Sequence, residues 1–355
     1  MRAVTFTEFS SPPTIEDVPP PLLPAGGAVV RVTATGVCRS DWHAWSGHDD
    51  SVSLPHIPGH EFAGVIEEID PAVPGFKKGD RVTAPFIFAC GDCAHCRAGH
   101  TQVCPNQQQP GFDLKGSWAE YVAVTNAATN LVHLPDELDF DIAAGLGCRF
   151  GTAYHAVTVQ GRVQPGETVV VIGCGGVGLS CVMIARAAGA RVIAVDRTQS
   201  ALDAAEKLGA TALYSDETTV ARIHELGGAH VSIDALGARI TATMAIESLR
   251  PKGRHVQVGL LLGEDANPPL PYGRAIALEL ELLGSHGLAT SEYAALLSDV
   301  ASGHLDLAGT VGTRIGFDEL PAALPAMNKP PRAGSFGMTV AVLYYRTVMP
   351  WCRVG

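Results

Sequence analysis

Three residues that lie far apart in the sequence carry the side chains of a catalytic zinc site. Cys38, His60 and Cys148 offer two thiolates and one imidazole, and this ligand set can hold zinc while its fourth position stays open to water or substrate. Each residue alone would more often have a packing or loop role, since a single Cys or His has many structural uses. Together with the residues around them, the three predict a catalytic metal centre.

Groups suited to proton transfer follow Cys38 directly. Ser40 can pass a proton through its hydroxyl, and His43 titrates near neutral pH, so the two could carry a proton from a buried site to solvent. Asp41 could accept a hydrogen bond from His60 and fix its tautomer, or it could equally be a turn or cap residue. The alternative for the whole segment is a surface turn with a buried thiol.

Four closely spaced cysteines predict a second metal site. Two-residue gaps separate the first three, and the fourth returns after a short lobe, so the thiolates can surround one tetrahedral ion. A filled shell leaves no position for substrate, and we therefore expect a structural zinc. His95 and His100 lie inside the lobe but are superfluous to that shell, so we expect them to face solvent. The predicted ligands are Cys90, Cys93, Cys96 and Cys104.

A glycine-rich turn predicts a dinucleotide-binding unit. An apolar strand, Glu167 to Ile172, precedes the turn, and a helix follows it. The glycines allow a pyrophosphate to rest on the N-terminus of that helix. Asp196, eighteen residues after the last of them, is placed to bind a ribose 2′-hydroxyl and to repel a 2′-phosphate, which favours NAD. The turn residues predicted to contact the cofactor are Gly173, Gly175, Gly176, Val177 and Gly178.

The order of predicted elements indicates an α/β protein with two domains. Short β-rich runs between Pro- and Gly-rich turns fill roughly the first 150 residues, a pattern typical of a partly open barrel. From about Gly166, repeated strand and helix units predict a doubly wound parallel sheet. Val258 and Gly259 follow one of its strands and are expected at the nicotinamide end of the cofactor. The predicted domains are 1–155 with the metal lobe at 90–104, then 156–284, and a segment returning to the first domain at 285–355.

Composition indicates a globular protein with small-molecule ligands. The 355 residues suit two domains, and a formal charge of −11 argues against nucleic-acid or membrane partners, because phosphates require clustered Lys and Arg. The apolar stretch Thr168 to Ala190 contains five glycines and Arg186, which favours a buried strand and helix over a membrane span. Met1 begins no export signal, so we expect a cytoplasmic protein in which metal binding, rather than disulfide formation, is the main use of its nine cysteines.

Over nearly the whole chain, these motifs resemble those of the zinc-dependent alcohol dehydrogenases of the medium-chain dehydrogenase/reductase superfamily. The resemblance implies a mostly β GroES-like catalytic domain, a Rossmann dinucleotide-binding domain and an active site in the cleft between them. The motifs that carry it are Cys38-Arg-Ser-Asp-Trp-His43, Gly59-His60-Glu61, the four-cysteine lobe, Gly147-Cys148 with Gly151-Thr152, and Gly173 to Gly178 with Asp196.

By this resemblance, the activity is the reversible zinc- and NAD-dependent oxidation of a primary or secondary alcohol to an aldehyde or ketone by hydride transfer. Cys38, His60 and Cys148 would hold the catalytic zinc, with Glu61 beside it as a supporting group or transient ligand. The lobe would hold a second zinc, giving two per chain. Similar polyol dehydrogenases usually have a carboxylate where this chain has Cys148, so the thiolate favours simple alcohols and aldehydes.

The resemblance also implies roles around the substrate. Ser40 and His43 would form a proton relay through the cofactor ribose, and Thr152 would pack against the nicotinamide ring. Trp45 and Phe86 match positions that line the alcohol pocket, although each could be a core residue. A loop insertion of the dimeric animal enzymes is absent from this chain, which favours a homo-tetramer over a dimer.

Two cationic positions of the family are occupied by other residues here. A lysine that steadies the adenosine ribose would fall near Ala201, and an arginine that often contacts the pyrophosphate would fall near Met338. We therefore expect weaker NAD binding or a replacement cation, with Arg197 and Arg274 as candidates, and Arg197 leaves some use of NADP conceivable. The tail from residue 344 onward does not resemble the family, and no role is assigned to Cys174, Cys181 or Cys352.

Other functions stay open from the sequence alone. The chain could be another zinc-dependent dehydrogenase of the same superfamily, or a zinc-free quinone or enoyl reductase on the same scaffold, which would not need Cys38, His60 and Cys148 together. A nucleotide-binding protein without turnover would also keep the fold, but the intact pair Ser40 and His43 argues against it.

Overall fold

The computed structural model describes residues 1–307, 310–328 and 338–343, so the tail from residue 344, with Cys352, lies outside the described residues. The strands are β1 (Arg2–Thr5), β2 (Thr14–Asp17), β3 (Ala28–Val37), β4 (Phe62–Ile69), β5 (Arg81–Thr83), β6 (Tyr121–Val124), β7 (Val132–His133), β8 (Thr168–Ile172), β9 (Arg191–Asp196), β10 (Thr211–Tyr214), β11 (Ala229–Asp234), β12 (Leu249–Gln257), β13 (Glu281–Gly284), β14 (Val311–Gly316) and β15 (Met338–Val342). The α-helices are α1 (Arg39–Trp45), α2 (Ala94–Arg97), α3 (Ala127–Asn130), α4 (Phe140–Ala144), α5 (Gly151–Tyr154), α6 (Gly176–Ala187), α7 (Gln199–Lys207), α8 (Thr219–Glu225), α9 (Arg239–Glu247), α10 (Tyr272–Leu278), α11 (Tyr293–Ala301) and α12 (Leu320–Ala326). Wider π-helical turns cover Leu146–Phe150 and His155–Gln160, and 3-10 turns cover Thr101–Val103, Gly263–Asp265, Thr290–Glu292 and Phe317–Glu319.

Within the described residues, six parallel strands form one sheet in the order β10-β9-β8-β11-β12-β13. Strand β8 is buried on both faces. Val169 and Val171 pack in a hydrophobic cluster with residues of α6, whereas Val170 and Ile172 pack in another cluster with residues of α9. A continuous apolar strand is what a parallel sheet covered on both faces requires. The predicted doubly wound sheet is confirmed, and its order reverses between β8 and β11, where such sheets bind ligands beyond the strand carboxyl ends.

A second, mostly antiparallel sheet precedes the parallel one and is completed after it. Its described strands follow the order β14-β15-β3-β4-β5-β7, with β6 paired to β3. Strand β15 pairs antiparallel with β3, so the chain returns to this sheet. Strands β3 and β4 are also antiparallel, with Thr35 opposite Phe62. That register brings Cys38, just after β3, to the same end of this strand pair as His60, just before β4.

Element positions follow the predicted pattern closely, except at sheet edges. The repeated strand and helix units predicted from about Gly166 are present, with α7, α8 and α9 each lying between two strands of the parallel sheet. Strands β10 and β14 escape prediction because both lie at sheet edges and bury only one residue each, which leaves no long apolar run. The stretch 168–190 forms β8 and α6, and no helix among the described residues has the length and apolar character needed to cross a membrane.

A buried asparagine fixes the segment that leads into the four-cysteine lobe. Asn130, the last residue of α3, is fully buried. Its Oδ1 accepts a hydrogen bond from the Ala89 amide at 2.9 Å, and its Nδ2 donates to the carbonyls of Ala89 and Thr125 at 3.0 and 2.9 Å. Ala89 immediately precedes Cys90, so this side chain holds the backbone from which the lobe begins.

We expect Asn130→Ala to lower the free energy of unfolding by about 1–3 kcal/mol, because it leaves buried backbone groups without partners. Urea unfolding followed by circular dichroism measures the change. Gln199→Ala, on the exposed surface of α7, serves as control and should change stability by less than about 0.5 kcal/mol. Equal stability of the Asn130→Ala variant and the parent protein would show that the lobe does not depend on this anchor.

Candidate functional site

Four ionisable side chains converge beside the end of the strand pair β3 and β4. Cys38, His60, Glu61 and Cys148 each offer a ligand atom, and these atoms all lie within 4.8 Å of one another. All four residues are buried, with His60 and Glu61 at 0% exposure. We call these four residues the inner cluster. The fold therefore brings together the three residues predicted to form a metal centre, together with the predicted neighbour Glu61.

The side chains of the inner cluster come from three separate pieces of backbone. Cys38 directly follows β3 and is the N-cap residue of α1. His60 follows Gly59, which has a φ of +104° and packs so closely against Trp118 that a Cβ would collide. Cys148 lies in the π-helical turn Leu146–Phe150. Such widened turns are frequent at functional sites, because they redirect side chains that a regular α-helix would place elsewhere.

Asp41 holds the metal-ligand candidates in place from within α1. Its Oδ1 lies 2.8 Å from His60 Nδ1 and accepts from the Gly59 amide at 3.1 Å, while its Oδ2 accepts from the Cys38 amide at 2.8 Å. Nδ1 is thereby held as the donor to Asp41, and Nε2 is directed into the cluster, where metal binding would displace any proton that it carries. His60 Nε2 is buried and has no hydrogen-bond partner among the described residues. The predicted contact between Asp41 and His60 is thus present, and one ring nitrogen is left available to a ligand.

Protons are shared unequally within the inner cluster. The hydrogen bond from Cys148 lowers the pKa of Cys38 well below its usual range, and His60 adds to this effect while burial opposes it. The same hydrogen bond, together with burial, raises the pKa of Cys148. Burial would lower the pKa of His60, but the charges of Asp41 and Cys38 raise it. One sulfur is thus prepared as a thiolate, the form that binds metal ions.

A buried arginine that no sequence motif indicated, Arg149, pairs with Glu61. Glu61 Oε1 accepts hydrogen bonds from both the backbone amide and Nε of Arg149, each at 3.0 Å, and Oε2 accepts from Nη2 at 2.5 Å. Burial raises the pKa of Glu61, and the guanidinium opposes this shift. The available signal was an arginine next to Cys148 in an otherwise apolar stretch, because an arginine there has to find a buried partner.

The four lobe cysteines also form a compact group, which we call the lobe cluster. Cys93 Sγ lies 3.4 Å from Cys96 Sγ, and Cys104 Sγ lies 3.5 Å from Cys90 Sγ. All four sulfurs lie within 4.8 Å of one another, a spacing that could hold one tetrahedral ion. The histidines inside the lobe, at positions 95 and 100, are exposed, as expected for residues outside the ligand shell.

The two residues predicted to move protons share helix α1. Ser40 Oγ lies 3.8 Å from Cys38 Sγ, and His43 follows one turn later. His43 Nδ1 lies 3.1 Å from Nδ1 of His48, an exposed residue that the sequence analysis did not single out. Burial, Arg39 and His48 lower the pKa of His43, so its imidazole is neutral at pH 7 and able to accept a proton.

The predicted cofactor turn has the geometry that pyrophosphate binding requires. Gly173 has a φ of +89°, and the turn leads into α6 at Gly176. A Cβ on Gly178 would collide with the Gly173 carbonyl, so only glycine allows this close packing. At the end of β9, Asp196 accepts hydrogen bonds from the backbone amides of Cys174 and Thr198, both at 2.8 Å. These bonds fix the carboxylate beside the turn.

The residues predicted at the nicotinamide end lie beside an open space. Val258 and Gly259, just beyond β12, line a cavity of about 370 Å³ together with Ser285 and His286. Thr152, on α5, has a buried hydroxyl oxygen that makes no hydrogen bond within the described part of the chain. The Thr152 hydroxyl is therefore available to a bound molecule.

Of three residues expected near the substrate or cofactor, Trp45 and Arg274 lie elsewhere and Phe86 lies near the site. Trp45 packs in the hydrophobic core, and its indole nitrogen donates to the Ser11 carbonyl, so it is a core residue. Phe86 remains near the site, with its ring centroid 6.2 Å from that of His60. Arg274 donates to the carbonyl of Leu249, the first residue of β12, which places it at the amino ends of the strands, away from the cofactor turn.

Comparison with known proteins agrees with this geometry. Residues 24–136 match the family model described as "Alcohol dehydrogenase GroES-like domain", and residues 176–302 match "Zinc-binding dehydrogenase". An alcohol dehydrogenase of Geobacillus stearothermophilus is 36% identical over 292 residues, which cover 80% of this chain and 84% of that protein. An L-threonine 3-dehydrogenase of Anaeromyxobacter dehalogenans is 30% identical over 335 residues, 91% of this chain and 93% of its own. The solved structure of alcohol dehydrogenase TADH from Thermus sp. ATN1 matches with a TM-score of 0.89 and 29% identity, over 97% of this chain and 100% of that chain.

The chain therefore belongs to the zinc-type medium-chain dehydrogenase/reductase family, whose GroES-like and zinc-binding dehydrogenase domains it contains. It is an oxidoreductase. The family resemblance inferred from the sequence motifs is confirmed.

We expect Asp41→Ala to weaken zinc binding at the inner cluster by about 10- to 100-fold, because the orientation and tautomer of His60 are then no longer fixed. Competition with a chromophoric chelator measures the affinity. Asp49→Ala is the matched control, since Asp49 lies shortly after α1 and caps only Ser51 among the described residues. Unchanged affinity in Asp41→Ala would mean that His60 does not depend on this carboxylate.

Proposed function

We propose that this protein catalyses the reversible oxidation of a simple primary or secondary alcohol to an aldehyde or ketone, with hydride transfer to NAD. The observation that carries the proposal is the unpaired Nε2 of His60, buried between Cys38 and Cys148. An unpaired buried polar atom costs about 1–3 kcal/mol, so a ligand is expected to complete the cluster. Two sulfurs and one imidazole nitrogen match the ligands of a catalytic zinc.

Zinc fits both groups of ligands. Cys38, His60 and Cys148 would hold a catalytic ion, and the lobe cluster would hold a structural one, giving two per chain. A zinc ion bound at the inner cluster would polarise the substrate oxygen and lower its pKa. Glu61 is occupied by Arg149 on both oxygens, which supports a supporting role for this carboxylate rather than permanent metal ligation.

The glycine turn and Asp196 support NAD as the hydride acceptor. The turn lies at the carboxyl end of β8, where open parallel sheets bind nucleotides. The fixed carboxylate of Asp196 would accept hydrogen bonds from a ribose 2′-hydroxyl and repel a 2′-phosphate. Thr152, Val258 and Gly259 would contact the nicotinamide end. Arg197 is exposed beside Asp196 and is the group through which some NADP could be accommodated.

A short path from the inner cluster supports release of the alcohol proton. Ser40 would accept this proton beside Cys38 and pass it through the cofactor ribose to His43, whose lowered pKa keeps it neutral at pH 7 and able to accept the proton. The contact between His43 and the exposed His48 would then lead the proton to solvent. These residues move the proton, whereas the ligands of the inner cluster do not need to change their own protonation.

The remaining sequence expectations are part of the same proposal. We retain the domain division 1–155, 156–284 and 285–355, a homo-tetrameric assembly and a cytoplasmic location. The formal charge of −11 supports a small-molecule alcohol or aldehyde as the substrate rather than a polyanion.

Zinc-replete protein should contain two zinc ions per chain and reduce NAD with simple alcohols. Cys38→Ala should lose one ion and all measurable turnover, whereas Cys93→Ala should lose the other ion and chiefly thermal stability. Metal analysis and nicotinamide absorbance with aliphatic, benzylic and secondary alcohols measure both effects. If the parent protein contained one zinc per chain and Cys38→Ala retained it, the result would favour instead a quinone or enoyl reductase without a catalytic zinc.

For His43→Ala we expect alcohol oxidation to slow by about 10²- to 10⁴-fold with zinc content unchanged. The pKa of His43 is lowered, chiefly by burial, so the residue gains its proton only below pH 6.5, and the parent rate should fall in that acidic range. The variant should lose this acidic limb. His304→Ala, at an exposed position, is the control. Identical pH profiles in His43→Ala and the parent would remove His43 from the proton path.

A further inference from the structure

Arg149 lies between the inner cluster and the start of helix α6. Its residue exposure is 7%, and the hydrogen bonds to Glu61 use its backbone amide, Nε and Nη2. Among the described residues, Nη1 makes no hydrogen bond to protein. On the other side of the guanidinium lies Gly176, the first residue of α6. A Cβ built on Gly176 would lie 2.7 Å from Arg149 Cδ and 3.7 Å from Nη1.

We propose that Arg149 binds the pyrophosphate of the bound dinucleotide through Nη1 while it stays paired with Glu61, and so links the cofactor site to the inner cluster. This inference rests on the proposed use of a dinucleotide cofactor. It adds a residue that the motifs of the sequence did not indicate for cofactor binding.

The charge of the ligand favours a cation at this place. A pyrophosphate carries negative charge on both phosphates, and the N-terminus of α6 supplies only partial positive charge. The positions expected to supply cations hold Ala201 and Met338 instead. Arg274 lies at the amino ends of the parallel strands, opposite the glycine turn. Arg197 is exposed beside Asp196, the proposed ribose-binding residue. Arg149 is the buried guanidinium that lies against the glycine turn itself.

The shape of a guanidinium allows both contacts at once. Its five N–H groups lie in one plane, so one edge can bind a carboxylate while a further N–H reaches another acceptor. Gly176 carries no side chain, so the turn does not block Nη1 from the space above the helix end. A lysine, with one ammonium group, could not hold Glu61 on both oxygens and the cofactor together.

A shared guanidinium makes the two sites depend on each other. Cofactor bound to Nη1 would stabilise the orientation in which Nε and Nη2 hold Glu61 beside the metal ligands. By linkage, an intact pair with Glu61 would strengthen cofactor binding by the same factor. Loss of Glu61 should therefore weaken cofactor binding, even though Glu61 itself does not contact the glycine turn.

The test is the affinity of zinc-loaded Arg149→Gln for NADH, ADP-ribose and adenosine, measured by protein fluorescence or calorimetry. We expect the dissociation constants for NADH and ADP-ribose to rise about 10- to 100-fold, the range of a lost charge-assisted hydrogen bond. Adenosine, which has no phosphate, should bind as it does to the parent protein. Arg162→Gln, which removes an exposed arginine paired with Glu281, is the matched control and should bind all three ligands normally.

Metal analysis of the same samples separates this inference from a purely structural role. If Arg149 served only Glu61, Arg149→Gln would lose zinc or stability but keep the parental ratio of ADP-ribose to adenosine affinity, and the inference would be wrong. If Arg149→Gln fails to fold, the ratio of ADP-ribose to adenosine affinity is measured in Arg149→Lys instead. A parental ratio in that variant would likewise show the inference to be wrong. Failure of the parent protein to bind either NADH or ADP-ribose would instead overturn the proposed function, and with it this inference.

Discussion

Burial of ionisable groups is the constraint on which the site depends. The inner cluster places two thiols, an imidazole and a carboxylate where little water reaches them, and such groups are costly unless each finds a partner. Asp41 satisfies one nitrogen of His60, and Arg149 satisfies both oxygens of Glu61. Within the described residues, the second ring nitrogen has no partner, and it lies within 4.8 Å of the two sulfurs, which share a hydrogen bond. The partners thus define where a ligand must bind.

The fold meets this constraint by bringing distant segments of the chain together at one end of the strand pair β3 and β4. Antiparallel pairing of β3 and β4 places Cys38 and His60 side by side, and this register cannot slip by one residue without turning every side chain to the other face. Cys148 comes from a segment between the two sheets, in a π-helical turn. The same turn carries Arg149, so one local widening of the helix supplies both a sulfur and the cation that balances the neighbouring carboxylate.

Features set by local spacing were predictable from the sequence, whereas features set by direction were not. The lobe cluster and the glycine turn depend on short gaps that allow few arrangements, and both form as expected. Helix α1 illustrates the limit, because Trp45 is buried in the core, whereas Trp42, three residues earlier, is only partly buried and packs against the same core under Arg39. A spacing rule cannot choose between them, since residues three apart on a helix share one face. Edge strands such as β14 were missed for the related reason that they carry little apolar signal.

The pairing of Glu61 with Arg149 shows why energetics alone does not explain the site. A buried ion pair contributes little net stability, and apolar residues of the same volume often serve as well or better in a core. Nothing in the packing requires the pair, yet it lies between the metal-ligand candidates and the glycine turn, the two places where charge must be balanced when ligands bind. Apolar substitutes could fill that space but could not respond to either ligand. On the proposed function, the pair is therefore better understood as a requirement of the chemistry than as a support of the fold, because it would balance charge between a metal ion and a dinucleotide bound close together.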